Sequence, residues 1–161
     1  TIYEGTNGVQ AMDLLGRKVV RNGGETVHTF IKNVQETIDQ LDTNDRSQLS
    51  ISIHLKNSLD ALNSAVTWMI ETFPKQPGQA AAGATSFLEM MGLISGGWML
   101  ARGVIEADMQ LKNKQGDQKF LNSKITTAQY FAQAFLSRAP SLLYPITDCG
   151  DCVMEFEASN F

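Results

Sequence analysis

The sequence predicts an all-α protein, an antiparallel helical bundle of about four to five helices. Three observations carry this. Val27, Phe30, Ile31, Val34, Ile38 and Leu41 fall at i, i+3, i+4, i+7, i+11 and i+14, one apolar stripe at helical spacing. The same spacing returns in Leu55, Leu59, Leu62, Val66, Met69 and Phe73. Glycine, proline and acidic turns divide the chain, and no convincing strand pattern or internal repeat lies between them. Helices joined by short loops pack antiparallel.

The first helix is expected from about Asn7 to Val20, with Val9, Met12 and Leu15 on its inner side. Asn22-Gly23-Gly24 stops it, because glycine ends a helix without a Cβ penalty. The second runs from about Glu25 to Leu41. Asp42-Thr43-Asn44-Asp45 is a turn that offers N-caps to the third, about Arg46 to Thr72. The opening of that helix, Leu49-Ser50-Ile51-Ser52-Ile53, alternates like a strand, but the helical pattern continues far beyond it and prevails. The Pro74–Gly78 segment breaks the chain. The fourth helix is expected from about Gln79 to Lys114, with a kink at Gly96-Gly97. Its small residues, Ala80 to Gly83, Gly92, Gly96 and Gly97, would admit a close neighbour and mark it as the bundle centre or a subunit contact. Asp117 should cap the fifth, Gln118 to Ser137, with Leu121, Ile125, Ala128, Ala132 and Phe135 inward. After Pro140 the periodicity fades, which predicts a partly ordered tail to Phe161.

A chain of 161 residues can bury one real core, and 43% hydrophobic residues place it among globular proteins. The net charge of −4 argues against nucleic acid or an anionic membrane surface as a partner. A membrane helix needs roughly 20 apolar residues. The nearest stretch, Met90 to Val104, is interrupted by Ser95, Gly92, Gly96, Gly97, Gly103 and Arg102. The chain opens on Thr1 with no leader pattern, and the expectation is a fragment of a larger protein. Two cysteines make no disulfide framework, so a reducing cytoplasm is expected.

Cys149-Gly150-Asp151-Cys152 is a lone CxxC. A zinc site takes about four ligands, and no second pair exists; His28 and His54 fall on separate helices. No metal is expected, and the pair reads as free thiols. Gly23-Gly24 and Gly96-Gly97 make no phosphate loop, and no nucleophile–base pair is visible. Met90, Met91, Met99 and Met109 sit at helical spacing and read as core filling. Glu4 is a carboxylate that burial could tune into a general base, or a solvated acid near a chain end.

The opening residues add a resemblance to those readings of Glu4, while in this chain by itself the solvated acid describes its state better. Tyr3-Glu4-Gly5-Thr6, then Asn7-Gly8, then Val9-Gln10 resembles the signature around the catalytic glutamate of acyl-CoA dehydrogenases: aromatic-Glu-Gly-Thr, polar residues, then a hydrophobic residue and Gln. The phrase from Asn7 to Lys18, Asn-Gly-Val-Gln-Ala-Met-Asp-Leu-Leu-Gly-Arg-Lys, resembles the bacterial subgroup that carries a C-terminal helical extension, the 3-methylmercaptopropionyl-CoA dehydrogenase type. The resemblance implies an FAD-dependent parent enzyme acting on an acyl-CoA, with an electron-transfer flavoprotein as acceptor and a homo-oligomeric assembly. It implies Glu4 as the base, Tyr3 and Gly5 at the substrate, and Thr6, Asn7 and Gly8 at the FAD. Residues 1–22 would then end the catalytic helical domain, 23–139 form the C-terminal bundle and 140–161 the tail. The piece itself would be mainly a packing domain without activity of its own. The alternative is a non-catalytic helical interaction or oligomerisation module.

Overall fold

A helix start leaves backbone N–H groups without partners, and a short acceptor side chain at the N-cap satisfies one of them. In the computed structural model, which describes residues 2–156 and 159, with side chains from Thr6 onward, two aspartates do this where the sequence places them. Asp45 accepts from the Gln48 amide at 2.9 Å. Asp117 accepts from the Lys119 and Phe120 amides at 2.8 and 3.2 Å. Asp42 organises the turn ahead of Asp45: its Oδ1 accepts from the Asn44 amide at 3.0 Å. That bond holds the Asp42 carboxyl below its ordinary value.

The elements are α1 (Ile2–Asp13), a π-helical segment (Leu14–Val20), α2 (Glu25–Ile38), α3 (Arg46–Thr72), α4 (Pro77–Ala82), α5 (Ala84–Lys112), α6 (Gln118–Ala134), a 3-10 segment (Leu136–Leu142), α7 (Leu143–Thr147) and α8 (Gly150–Met154). Among the described residues there is no strand, and the fold is the all-α bundle that the periodicity predicts. α3 has the bounds its apolar stripe requires.

α3 and α5 are the central pair. α3 buries Leu55, Leu59, Leu62, Val66 and Met69, and α5 buries Phe87, Met90, Ile94, Ala101 and Val104. α2 and α6 each pack on both of them, and α1 packs on α5. Full burial of a side chain of this size contributes roughly 1.5–3 kcal/mol. One polar group lies at the centre. The Ser58 hydroxyl, fully buried, reaches the His54 carbonyl at 2.8 Å and the Leu136 carbonyl at 3.1 Å.

The structure departs from the sequence expectation at several places. Met99 and Met109, expected as core filling, are exposed, while Met90 is buried. α1 begins at Ile2 rather than Asn7. Its buried side is Ala11, with Leu15 and Val19 of the π segment, while Val9 and Met12 are exposed. The buried side steps i, i+4, i+8 through Ala11, Leu15 and Val19, and Val9 and Met12 fall off that face. The long fourth helix is two helices, broken at Gly83 and continuous through Gly96-Gly97. Gly83 sits against the backbone of Ile146, and a Cβ there would lie 2.7 Å from its carbonyl oxygen. Gly97 faces the Leu136 side chain, so that pair of glycines serves close packing and not a kink. α6 stops at Ala134, and the change to 3-10 geometry turns Phe135 outward and Leu136 inward. Beyond Pro140, α7 and α8 follow, and Ile146 is fully buried. Helices of five residues are too short to show a period.

Two substitutions test this packing. Gly83→Ala puts a methyl against backbone that has no rotamer to yield, and should cost about 1–3 kcal/mol. Gly92→Ala meets nothing within 4 Å, and in mid-helix it should add about 0.5–1 kcal/mol. Urea unfolding midpoints of the two variants should therefore move in opposite directions.

Candidate functional site

The signature residues all lie on α1, so their placement depends on what anchors that helix. Ala11, Leu15 and Val19 are buried against the bundle. On the outer side, Arg17 pairs with Asp13 at 2.5 Å across one turn. Gly23 and Gly24 then take positive φ, 59° and 86°, which glycine adopts without strain. Their turn sends α2 back across α5.

α2 is fixed to α5 by an aromatic and polar clasp. The Phe30 ring meets Trp98 edge-on at 5.4 Å between centroids. Trp98 Nε1 donates to Thr37 Oγ1 at 2.7 Å. The Thr37 hydroxyl spends its own proton on the Asn33 carbonyl at 3.1 Å. The Arg102 guanidinium lies over the Trp98 ring, 5.5 Å from its centroid, an attractive cation–π contact. Sequence reasoning missed this clasp. Thr37 is off the apolar stripe, and no spacing rule links it to Trp98.

Thr6, Asn7 and Gly8 are exposed on α1, and a Cβ on Gly8 would meet nothing within 4 Å. They sit inside the helix and not at its start, so their amides belong to the helical ladder, and the Thr6 and Asn7 side chains are what they present outward. The Tyr3 and Glu4 side chains and the surroundings of Gly5 lie outside what the structure describes. Cys149 and Cys152 stand apart from this region, on the α8 end that packs on α4 and α7. Cys149 is half-buried and Cys152 exposed, and both are free. His28 and His54 belong to α2 and α3 and line different grooves. Among the described residues no His, Cys, Asp and Glu group could hold a metal, and no helix is long and apolar enough to cross a membrane.

Two apolar cavities were not foreseen. One, about 350 Å³, lies between the π segment, α2 and α5, and is lined by Leu14, Lys18, Val19, Val27, Phe30 and Met91, with Thr26 beside them. The other, about 390 Å³, runs between α5 and α6 past Met99, Gly103, Phe120 and Lys124.

Comparison with known proteins places this helical architecture. The family model for acetyl-CoA dehydrogenase C-terminal-like domains matches residues 30–157, from α2 to the end of the described chain's helices. The chain belongs to this family. It is 36% identical over 153 residues to a 3-methylmercaptopropionyl-CoA dehydrogenase of Ruegeria pomeroyi, covering 95% of this chain and 26% of that protein. It is 27% identical over 168 aligned residues to a broad-specificity linear acyl-CoA dehydrogenase of Mycobacterium tuberculosis, covering 100% of this chain and 28% of that protein. The chain thus spans about a quarter of the length of these relatives. The second alignment takes in the whole chain, residues 1–10 with it.

The clasp makes a measurable demand. Thr37→Val leaves Trp98 Nε1 without its acceptor and should lower unfolding free energy by about 1 kcal/mol. Trp98→Phe should cost more, and the double variant less than the sum, because the two changes remove one shared bond. A thermodynamic cycle in urea reads the difference.

Proposed function

We propose that this chain is the C-terminal part of an FAD-dependent acyl-CoA dehydrogenase, with Glu4 as its general base. The observation that carries the reading is the Tyr3-Glu4-Gly5-Thr6 signature on a helix that leads directly into a bundle of the acetyl-CoA dehydrogenase C-terminal-like family. The parent acts on an acyl-CoA thioester, passes electrons to an electron-transfer flavoprotein and assembles as a homo-oligomer. Residues 1–22 end its catalytic helical domain and the bundle from residue 23 holds them in place.

Two carbon–hydrogen bonds must break for the α,β double bond to form. Glu4 takes the α-proton of the thioester onto its carboxylate. A bound FAD would supply the acceptor for the hydride that leaves the β-carbon. Gly5 lets the thioester pass close to the backbone, since no Cβ stands there, and Tyr3 flanks it. The exposed Thr6 and Asn7 side chains, with open space around Gly8, suit contact with a cofactor held by the rest of the enzyme. The bundle contributes position: Ala11, Leu15 and Val19 lock α1 to α5, and small displacements of a catalytic group are costly.

The test is Glu4→Gln in the full-length enzyme. Gln keeps the shape and cannot take the proton. General-base catalysis contributes about 10²–10⁴-fold, so turnover should fall at least that far while flavin absorbance stays with the protein. Near-normal turnover would place the base elsewhere. The 161-residue chain alone should show no turnover with an acyl-CoA and an artificial acceptor, because the base alone lacks the groups it must be held against.

A further inference from the structure

Two thiols stand on the α8 turn, and the dehydrogenase reading does not use them. Cys149 and Cys152 are the only cysteines of the chain, so each has one possible partner within the molecule. Both are free, Cys149 half-buried and Cys152 exposed. The residues between them, Gly150 and Asp151, are the first two of α8, and Cys149 itself lies in the right-handed helical region, with φ −90° and ψ −4°. A helical turn sets Cα atoms three residues apart at about 5 Å, inside the roughly 4.4–6.8 Å that a disulfide spans. Side chains three apart also share a face, because each Cα–Cβ bond leans toward the helix start. The backbone between the thiols rests on α4. A Cβ on Gly150 would lie 3.0 Å from the Gln79 carbonyl oxygen, and Gln79 Nε2 donates to Asp151. A zinc site takes about four ligands, and among the described residues no group of His, Cys, Asp and Glu gathers to supply them.

We propose that Cys149 and Cys152 form a reversible redox pair, closing to a disulfide by exchange with a low-molecular-weight disulfide of the glutathione kind. Cys152, the exposed thiol, attacks one sulfur of that molecule as its thiolate. The small S–S bond breaks, one small thiolate leaves, and a mixed disulfide forms on Cys152. Cys149 then gives its proton to solvent and attacks the Cys152 sulfur, and the second small thiolate leaves. The protein loses two electrons and two protons, and the small disulfide is reduced to two thiols. The bridge spans the first turn of α8 without unwinding it. The proposal does not depend on the dehydrogenase reading, and either can fail without the other.

The test equilibrates the 161-residue chain in mixtures of reduced and oxidised glutathione, quenches with acid, and reads intact mass and the peptide that carries both cysteines. The expected product is a monomer lighter by two hydrogens, bridged between Cys149 and Cys152, with far-UV circular dichroism unchanged and full reversal by reductant. The mixed disulfide should stay scarce, because its resolution is intramolecular. Cys149→Ser should instead accumulate glutathione on Cys152. Cys152→Ser should take up glutathione several-fold more slowly, through the half-buried thiol. Equilibration in urea separates the fold from the bare motif: the bridge should form with a several-fold larger equilibrium constant in the folded chain, where the turn is already made. An equal or smaller constant in the folded chain, a stable mixed disulfide in the unsubstituted chain, a bridge between two chains, loss of helix on oxidation, or equal uptake by the two serine variants would each overturn the proposal.

Discussion

A single buried hydroxyl constrains how this bundle closes. Ser58 lies at the middle of α3 with no exposed surface, and a buried hydroxyl without a partner costs about 1–3 kcal/mol. Its hydrogen bond within α3, to His54, is one that any helical serine can make. The same proton is shared with the Leu136 carbonyl at 3.1 Å, and this joins positions 78 residues apart. That carbonyl is available for a reason written in the sequence. Four residues on stands Pro140, which has no N–H to complete an α-helical bond. Pro140 therefore leaves the Leu136 carbonyl without an α-helical donor, and the Ser58 hydroxyl lies beside it. The 3-10 exit from α6 swings Leu136 inward against Gly97, and the chain that follows delivers Ile146 to Gly83. Serine, proline and two glycines thus form one chain of dependence from α3 to α7.

How much of this was legible follows from the length of each signal. The stripes of α2 and α3 run over several turns, so period and caps together fixed α3 at Arg46–Thr72. The Asp45 and Asp117 caps were readable because capping is local chemistry. What escaped was set by partners distant in sequence. Gly83 breaks the helix because of Ile146, and nothing in the local composition separates it from Gly96 or Gly97. The phase of the first helix was misread because Val9 and Met12 are large and apolar yet exposed, while the buried face runs through Ala11, a residue too small to mark it. α7 and α8 were unreadable because five residues make barely more than one turn.

The candidate site divides in the same way. Glu4 and its neighbours were picked out by resemblance, since no pattern of spacing distinguishes a tuned carboxylate from a solvated one at a chain end. The family of the bundle, matched from residue 30 onward, supports the setting in which that resemblance has meaning. The Trp98–Thr37 clasp and the cavity at the π segment arise only once α2 lies across α5. The clasp ties the segment behind α1 to the bundle core, and Leu15 and Val19 are counted in that same core. The signature helix and the bundle are therefore one packed body.

The weak hold on α8 has a different consequence. Its one buried residue is Gly150, a residue with no side chain to contribute, and the rest of its length faces solvent. Its other attachments are Gln79, which donates to Asp151, and the Met154 thioether lying over Gly78. Regions with little buried area open at a fraction of the global unfolding free energy. Cys152 rides on that helix and is exposed, whereas Cys149 is half-buried at its start. Thiol accessibility therefore grades the local opening of this end of the molecule: Cys152 reports the closed state, and Cys149 becomes equally accessible only when α8 lifts from α4.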